Sequence, residues 1–384
     1  MNIFNEEFKI EFYKNHFQKN YLYKPGIIKN YKNIMSMEIL NKMLSIKNIW
    51  NNKNFIMMLD RKRINFSEFS KPNLDTTGNN LRPDPKNVQK LISKGASIIL
   101  NDIEIHSPEL SDLANIFQLN THGRCQGNLY FSMESHQAFG PHCDKHDVFA
   151  IHFEGEKTWN IYEKIENNPI NHPVFEYSAE ERIKRSGKLV NQIKMKPGDL
   201  LYIPRGQYHD ALASKNGAIH IAFGLTYFKP IDLISVLWEK IILNDYMRGD
   251  IKTNSNKNEI KEILSKISQQ FELIINNDET SNILQSSMKN WPYEIENYTL
   301  KDLVSEGKRF YVSKGINLEK INTELFLTNG KDKVKVPDNY CLLTEYIMKE
   351  EYFTFKSIRG KFPKIPEKII SECVNSLKNM KIVN

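Results

Sequence analysis

His142 and Asp144 stand two residues apart in "GPHCDKHDVFAIHFEGEKTWNIY" (140–162). In an extended strand, positions i and i+2 face the same side, so this imidazole and this carboxylate can reach one ion. A pair is a weak signal, and a third ligand is wanted from a neighbouring strand. "PGDLLYIPRGQYHDA" (197–211) supplies it: a Pro-Gly-Asp turn, an apolar strand and a second turn lead to His209. Two histidines and one carboxylate on one face leave three coordination positions open, the facial geometry of non-haem Fe(II) centres.

Histidines crowd this region, nine of the ten lying between 106 and 220, so His136, His146, His152 and His172 read as surface or structural residues. His142 and His146 have the four-residue spacing of a zinc-binding helix. Their segment has strand and turn character, however, and the two should diverge. Lys157 is the other unusual residue. It is in phase with Trp159 and Ile161 and so points inward, where a lysine is costly unless it meets an anion or loses its proton. Beside a metal centre it would clamp the far carboxylate of a dicarboxylate ligand. An internal Asp or Glu partner is the alternative.

Short strands separated by Gly, Pro and Asn turns must position these groups: "NLYFS", "VFAIHF", "KTWNIY", "DLLYIP" and "AIHIAFGLTYF", between 127 and 228. Many short strands with tight turns predict an antiparallel jelly-roll barrel. Hairpins are expected at Glu154-Gly155 and at Asn216-Gly217, the latter a type I′ signal. Residues 1–95 read as helical and irregular, with a helix in "SMEILNKMLSI" (36–46) and a turn-rich loop over 71–87. "ASIILND" reads as a strand, and Ser107-Pro108 as a helix start. After 230 the pattern is helical. The last ninety residues read as three short helices and a strand, the order of a winged helix.

The 384 residues, 40% hydrophobic and 26% charged, exceed one ordinary core and suit two or three soluble domains. No stretch approaches the roughly 20 apolar residues of a membrane span, and the acidic amino terminus is unlike a secretory leader. A cytoplasmic protein is expected. Cys125, Cys143, Cys341 and Cys373 lack CxxC spacing, which argues against a disulfide framework or a cysteine zinc site. The net charge of +7 comes without a clustered basic face, so a nucleic-acid partner is not expected.

From 96 to 228 the chain resembles the JmjC-domain oxygenases, and within them the ribosomal-oxygenase group. The likeness rests on "QGNLYFS", "GPHCDKHDVFAIHFEGEKTWNIY" and "MKPGDLLYIPRGQYHDA" in that order. It implies an α+β protein in four parts. A region over 1–95 packs on a double-stranded β-helix (jelly-roll, cupin) barrel over 96–230, followed by a helical dimerisation segment over 231–295 and a winged-helix-like domain over 296–384. It further implies that His142, Asp144 and His209 bind Fe(II), and that Lys157 holds the C5 carboxylate of 2-oxoglutarate, with O2 as the other substrate. Asn128 matches an asparagine near the cosubstrate or substrate, and Tyr130 on the same face could lend a hydroxyl. His220 shares its strand face with Ala222 and Gly224. It is open to two readings, a cosubstrate hydrogen bond or a satisfied core histidine.

The implied activity is hydroxylation of an amino-acid side chain in a protein or peptide, Arg or His of a ribosomal protein foremost, by a homodimer. Two other readings are a hydroxylase of ribosomally made peptide precursors and a non-catalytic metal-binding cupin module. Two departures from the family pattern are visible. "SMESHQAFG" (132–140) stands where a Pro-Pro-Gly stretch is usual, beside the substrate entrance, and Cys143 replaces an aromatic between the ligands, where its side chain should face away from the metal.

Overall fold

The computed structural model describes residues 3–60, 62–73, 81–133, 140–293, 309–328 and 332–383, the side chains of 214–216 and 236 excepted. The chain divides into two compact units, Met1–Glu294 and Ile295–Asn384.

The first unit contains β1 (Leu22–Lys24), β2 (Phe55–Leu59), β3 (Lys62–Arg63), β4 (Ser70–Pro72), β5 (Leu81–Pro83), β6 (Ser97–Leu100), β7 (Arg124–Ser132), β8 (Asp147–Ile165), β9 (Leu189–Met195), β10 (Leu200–Ile203) and β11 (Gln207–Thr226). An antiparallel sheet runs β1-β10-β8-β11-β7-β6-β2-β3, with β9 added on β8. Its spine is the pair β8 and β11, 19 and 20 residues long, hydrogen-bonded from Gln207↔Ile165 to Leu225↔Asp147.

This ribbon corrects both expected hairpins. Glu154-Gly155 and Asn216-Gly217 do not reverse the chain; each bends a strand that continues beyond it. Gly155 and Gly217 have φ of +67° and +79°, the left-handed values that a turn motif also demands. Between the pairs Ala213↔Lys157 and Ala218↔Gly155, β11 runs through more residues than β8, as in a bulge. A glycine pair reports positive φ. Whether the chain turns back or only bends depends on its partner strand, and here the partners bend together.

The bend folds the ribbon over on itself. Val148 and Ala150 pack in one cluster with Trp159 and Ile161 of the same strand, joined by Ile193, Met195, Leu201 and Ile203. Crossing Gly155 switches the inward positions from even to odd, as one added residue must. Phe149, Ile151 and Phe153, facing the other way, join a second core with Phe4, Phe8, Phe12 and Phe117. The Phe117 and Phe149 rings stack at 4.4 Å. Phe117 lies on the helix Pro108–Thr121, whose first turn is capped by Ser107 accepting the Leu110 N–H.

Residues 1–95 are more than helical and irregular, because β1, β2 and β3 extend the main sheet. With two to five residues each, they are too short for a period-2 pattern to show. The helix Met37–Leu44, capped by Ser36, lies as expected. Within the expected loop, β4 pairs with β5 and a helix spans Pro85–Ile92; residues 74–80 lie outside the described ones. After the barrel come helices Pro230–Ile241, Lys257–Ile275 and Asp278–Lys289. No helix among the described residues is long and apolar enough to cross a membrane.

In the second unit, strands Asn317–Ile321, Glu324–Thr328 and Lys333–Lys335 form one small sheet, and Arg309–Tyr311 pairs with Tyr352–Thr354 in another. Helices Cys341–Ile347, Phe355–Lys361 and Glu367–Asn379 follow, and Val383 bridges back to Val312. Leu343, Ile347, Phe353, Ile358, Ile370 and Val374 are among its core residues.

Candidate metal centre

His142, Asp144 and His209 converge, with one potential ligand atom from each within 4.8 Å of the others. His209 lies on β11 beyond the glycine bend, and its backbone exchanges both hydrogen bonds with His142, at 3.0 and 2.8 Å. That bridge brings segment 142–144 alongside β11. The Gly206 N–H holds the Asp144 carbonyl at 2.9 Å, completing the attachment.

Backbone carbonyls orient both rings. Nδ1 of His142 is 2.9 Å from the Gly140 oxygen, and Nδ1 of His209 is 2.9 Å from the Gln207 oxygen. A carbonyl can only accept, so each Nδ1 carries a proton, which leaves Nε2 as the nitrogen that can turn to a metal. His142 Nε2 is 4.0 Å from Asp144 Oδ1, and His209 Nε2 is 3.5 Å from Oδ2. Burial pushes the His209 imidazole down to about 4, with neighbouring His142 second, so it is neutral at physiological pH. Burial also acts to raise the Asp144 carboxyl, but His209, His146 and His142 outweigh it and hold the group ionised below its ordinary value. Trp159 stacks beside His209 at 5.8 Å.

The position of His209 is secured from the outer face. Its neighbour Asp210 accepts hydrogen bonds from Asn160 Nδ2 at 2.7 Å and from the Tyr162 hydroxyl at 2.6 Å. Upstream, Asp147 accepts from the Arg205 N–H at 2.8 Å and the Tyr202 hydroxyl at 2.7 Å, fixing the turn that leads to His209. Nothing in the sequence singled these two aspartates out, because they act through partners distant along the chain.

The ligands open onto a cavity of about 190 Å³ lined also by Tyr130, Ser132, Lys157, Trp159 and His220. The exposed end holds His142 and Asp144, with side chains 26% and 31% accessible. Lys157 and His220 are buried. Lys157 points inward as its phase predicted, and among the described residues no carboxylate pairs with it. Burial lowers its ammonium to about 7. Its Nζ is 3.4 Å from His220 Nδ1 and 5.9 Å from the centres of the Tyr130 and Trp159 rings.

Tyr130 therefore reaches the cavity. Asn128, two residues earlier on β7 and paired with Ala222, shares its face but is not among the lining residues. The rival pair does diverge: the His146 ring packs on Gly224, where a β-carbon would meet it at 2.9 Å, and His146 is absent from the ligand group. Cys143 does not line the cavity either. His172 is exposed, whereas His152 is fully buried, and among the described residues neither of its ring nitrogens makes a well-formed hydrogen bond. His136 and the rest of 134–139, the core of the departure noted before His142, lie outside the described residues.

Comparison with known proteins bears on this arrangement. Residues 105–233 match the JmjC domain family. Over 217 residues, 55% of this chain, the sequence is 28% identical to the bifunctional lysine-specific demethylase and histidyl-hydroxylase NO66 of Dictyostelium discoideum, of which the match covers 39%. The protein of that name from Drosophila persimilis is 27% identical over 212 residues, 55% of this chain and 29% of the relative. The chain thus spans well under half the length of these relatives. The structure of E. coli YcfD superposes with a TM-score of 0.52 at 16% identity, covering 98% of this chain and 97% of that one. A structure described as that ribosomal oxygenase with cobalt and 2-oxoglutarate gives 0.51. At such identity the likeness concerns the fold, a JmjC/cupin barrel with added helices.

Proposed function

We propose that the protein, whose residues 105–233 match the JmjC domain family, is an Fe(II)- and 2-oxoglutarate-dependent oxygenase. Its substrate is an amino-acid side chain in a protein or peptide, with Arg or His of a ribosomal protein favoured. The observation that carries this reading is the pairing of two sites in one cavity. Two imidazole Nε2 atoms and a carboxylate converge on one side of the cavity, and a buried lysine that pairs with no carboxylate among the described residues lines it too. The first set suits a divalent cation with open positions; the second suits a dicarboxylate.

Each residue has a task in this reading. His142, Asp144 and His209 hold the metal, with the backbone carbonyls of Gly140 and Gln207 fixing the two imidazoles. Lys157 binds the far carboxylate of 2-oxoglutarate, and the Tyr130 phenol, neutral because burial raises it, donates beside it. Asn128, further along the same strand face, lies beside the cosubstrate or the substrate rather than under it. Fe(II), with 2-oxoglutarate and dioxygen, supplies the oxidising power to place a hydroxyl on an unactivated carbon. Trp159, Val148, Ala211 and Ala222 line the remaining wall with apolar surface and exclude water. The curated relatives' name, histidyl-hydroxylase, supports a protein side chain as target. The reading includes a cytoplasmic location, a homodimer through the helices after 230, and a winged-helix-like second unit that docks partners.

Anaerobic titration with Fe(II) and 2-oxoglutarate tests it, through the metal-to-ligand charge-transfer absorption. The band should form in the wild type, vanish in His209→Ala and require about tenfold or more cosubstrate in Lys157→Ala. No band at saturating ligand would sink the oxygenase and leave a metal-binding module.

A further inference from the structure

His220 occupies a confined position. Its ring lies parallel to Tyr130, centroids 4.7 Å apart and 11° between planes, and edge-on to Trp159 at 5.4 Å and 89°. One face is thus covered by Tyr130, Trp159 stands perpendicular beside the ring, and the residue is 4% exposed. Across the ladder it pairs with His152. Among the described residues the ring's polar contact is Nδ1 to Lys157 Nζ, at 3.4 Å. A lysine ammonium has only donors, so Nδ1 must be the acceptor and Nε2 must carry the proton. Burial, and then Lys157 and His152, hold the imidazole in its neutral form.

Resting on the oxygenase reading, we propose that His220 is a positioning residue: its Nδ1 accepts one Lys157 proton and aims the ammonium's remaining two donors at the far carboxylate of 2-oxoglutarate. The flexible four-carbon lysine stem would otherwise sample several rotamers in the cavity. The aromatic packing on His220 removes that freedom in advance, so less order is lost when the cosubstrate arrives. His220 then acts through Lys157 and makes no direct bond to the cosubstrate.

A double-mutant cycle on anaerobic 2-oxoglutarate affinity in the Fe(II)-loaded protein decides the point. His220→Phe keeps the stacked ring and removes the acceptor; it should weaken binding about tenfold. His220→Asn, whose amide oxygen can stand near the place of Nδ1, should recover most of that loss. In a Lys157→Ala background, His220→Phe should change affinity by less than about twofold. Should His220→Phe not fold, His220→Ala takes its place in the cycle. Equal losses with and without Lys157 would make His220 a direct ligand and overturn the proposal, as would wild-type affinity in His220→Phe. A wild type that binds no 2-oxoglutarate would instead overturn the oxygenase reading itself.

Discussion

Gly155 and Gly217 touch across the β8–β11 ladder: a β-carbon on Gly155 would lie 1.9 Å from the Gly217 carbonyl oxygen. The contact marks the corner at which the ribbon folds over, two residues before Lys157. Gly155→Ala adds both that clash and a side chain at positive φ. The variant should lose about 3 kcal/mol or more of stability, beyond the usual range for one substitution. Chemical denaturation measures it. A loss under about 1 kcal/mol would mean that the corner is not set by this contact.

Lys157 predicts a pH dependence. Burial lowers its ammonium to about 7, among neutral His220, His152 and Tyr130. A carboxylate binds the protonated form, so binding takes up a proton. Affinity for 2-oxoglutarate should fall as pH rises above about 7, by up to about tenfold per unit. Lys157→Arg, charged throughout, should flatten the profile. The unliganded protein behaves in the opposite sense: the unfolded lysine keeps its proton up to its ordinary value of 10.5, so stability gains with pH across that window. A flat wild-type binding profile between pH 6 and 9 would contradict this assignment.

His152 is fully buried, and among the described residues neither ring nitrogen makes a well-formed hydrogen bond, the backbone at Glu154 and Gly155 lying nearby. Burial, with Lys157 second, lowers its imidazole to about 4. Between 6.5 and 4 the unfolded chain therefore binds more protons, and this residue withdraws stability as pH falls through that interval. His152→Leu removes the unpaired polar atoms and the titration together. It should be as stable as the wild type or about 1 kcal/mol more so at pH 7, and should lose less on acidification. Thermal melts at pH 7 and pH 5 would reveal a marked destabilisation if His152 has a hidden bonding role.

The helix Lys257–Ile275 has no buried residue, yet carries Ile260 and Leu264, which are exposed together with Ile231, Ile234 and Trp238 of the preceding helix. Such a surface is expected at an interface between copies. Sedimentation should show a dimer in the wild type and a shift toward monomer in Trp238→Asp and Leu264→Asp. A wild type that stays monomeric at high concentration would refute the pairing.

His142, Asp144, His209 and the inward aim of Lys157 were all legible in the sequence. Residue chemistry and strand alternation are local properties, and the motif spacing compressed them into two short blocks. The short β1 and β2 were not legible, because so few residues leave no period to detect. The two glycine signals were visible but read as reversals. Positive φ is written in the residue type, whereas the choice between a hairpin and a bent strand belongs to the hydrogen-bonding partner. The ring orientations of His142 and His209 depend on carbonyls two residues away. That Lys157 pairs with no carboxylate among the described residues, and that Tyr130 stacks on His220 with Trp159 perpendicular beside it, depend on strands far apart in the chain. The sequence thus determined which groups could do chemistry and which way each strand presents them. Only the folded ribbon decided which of them meet, since burial and hydrogen-bond partnership are properties of the assembled sheet.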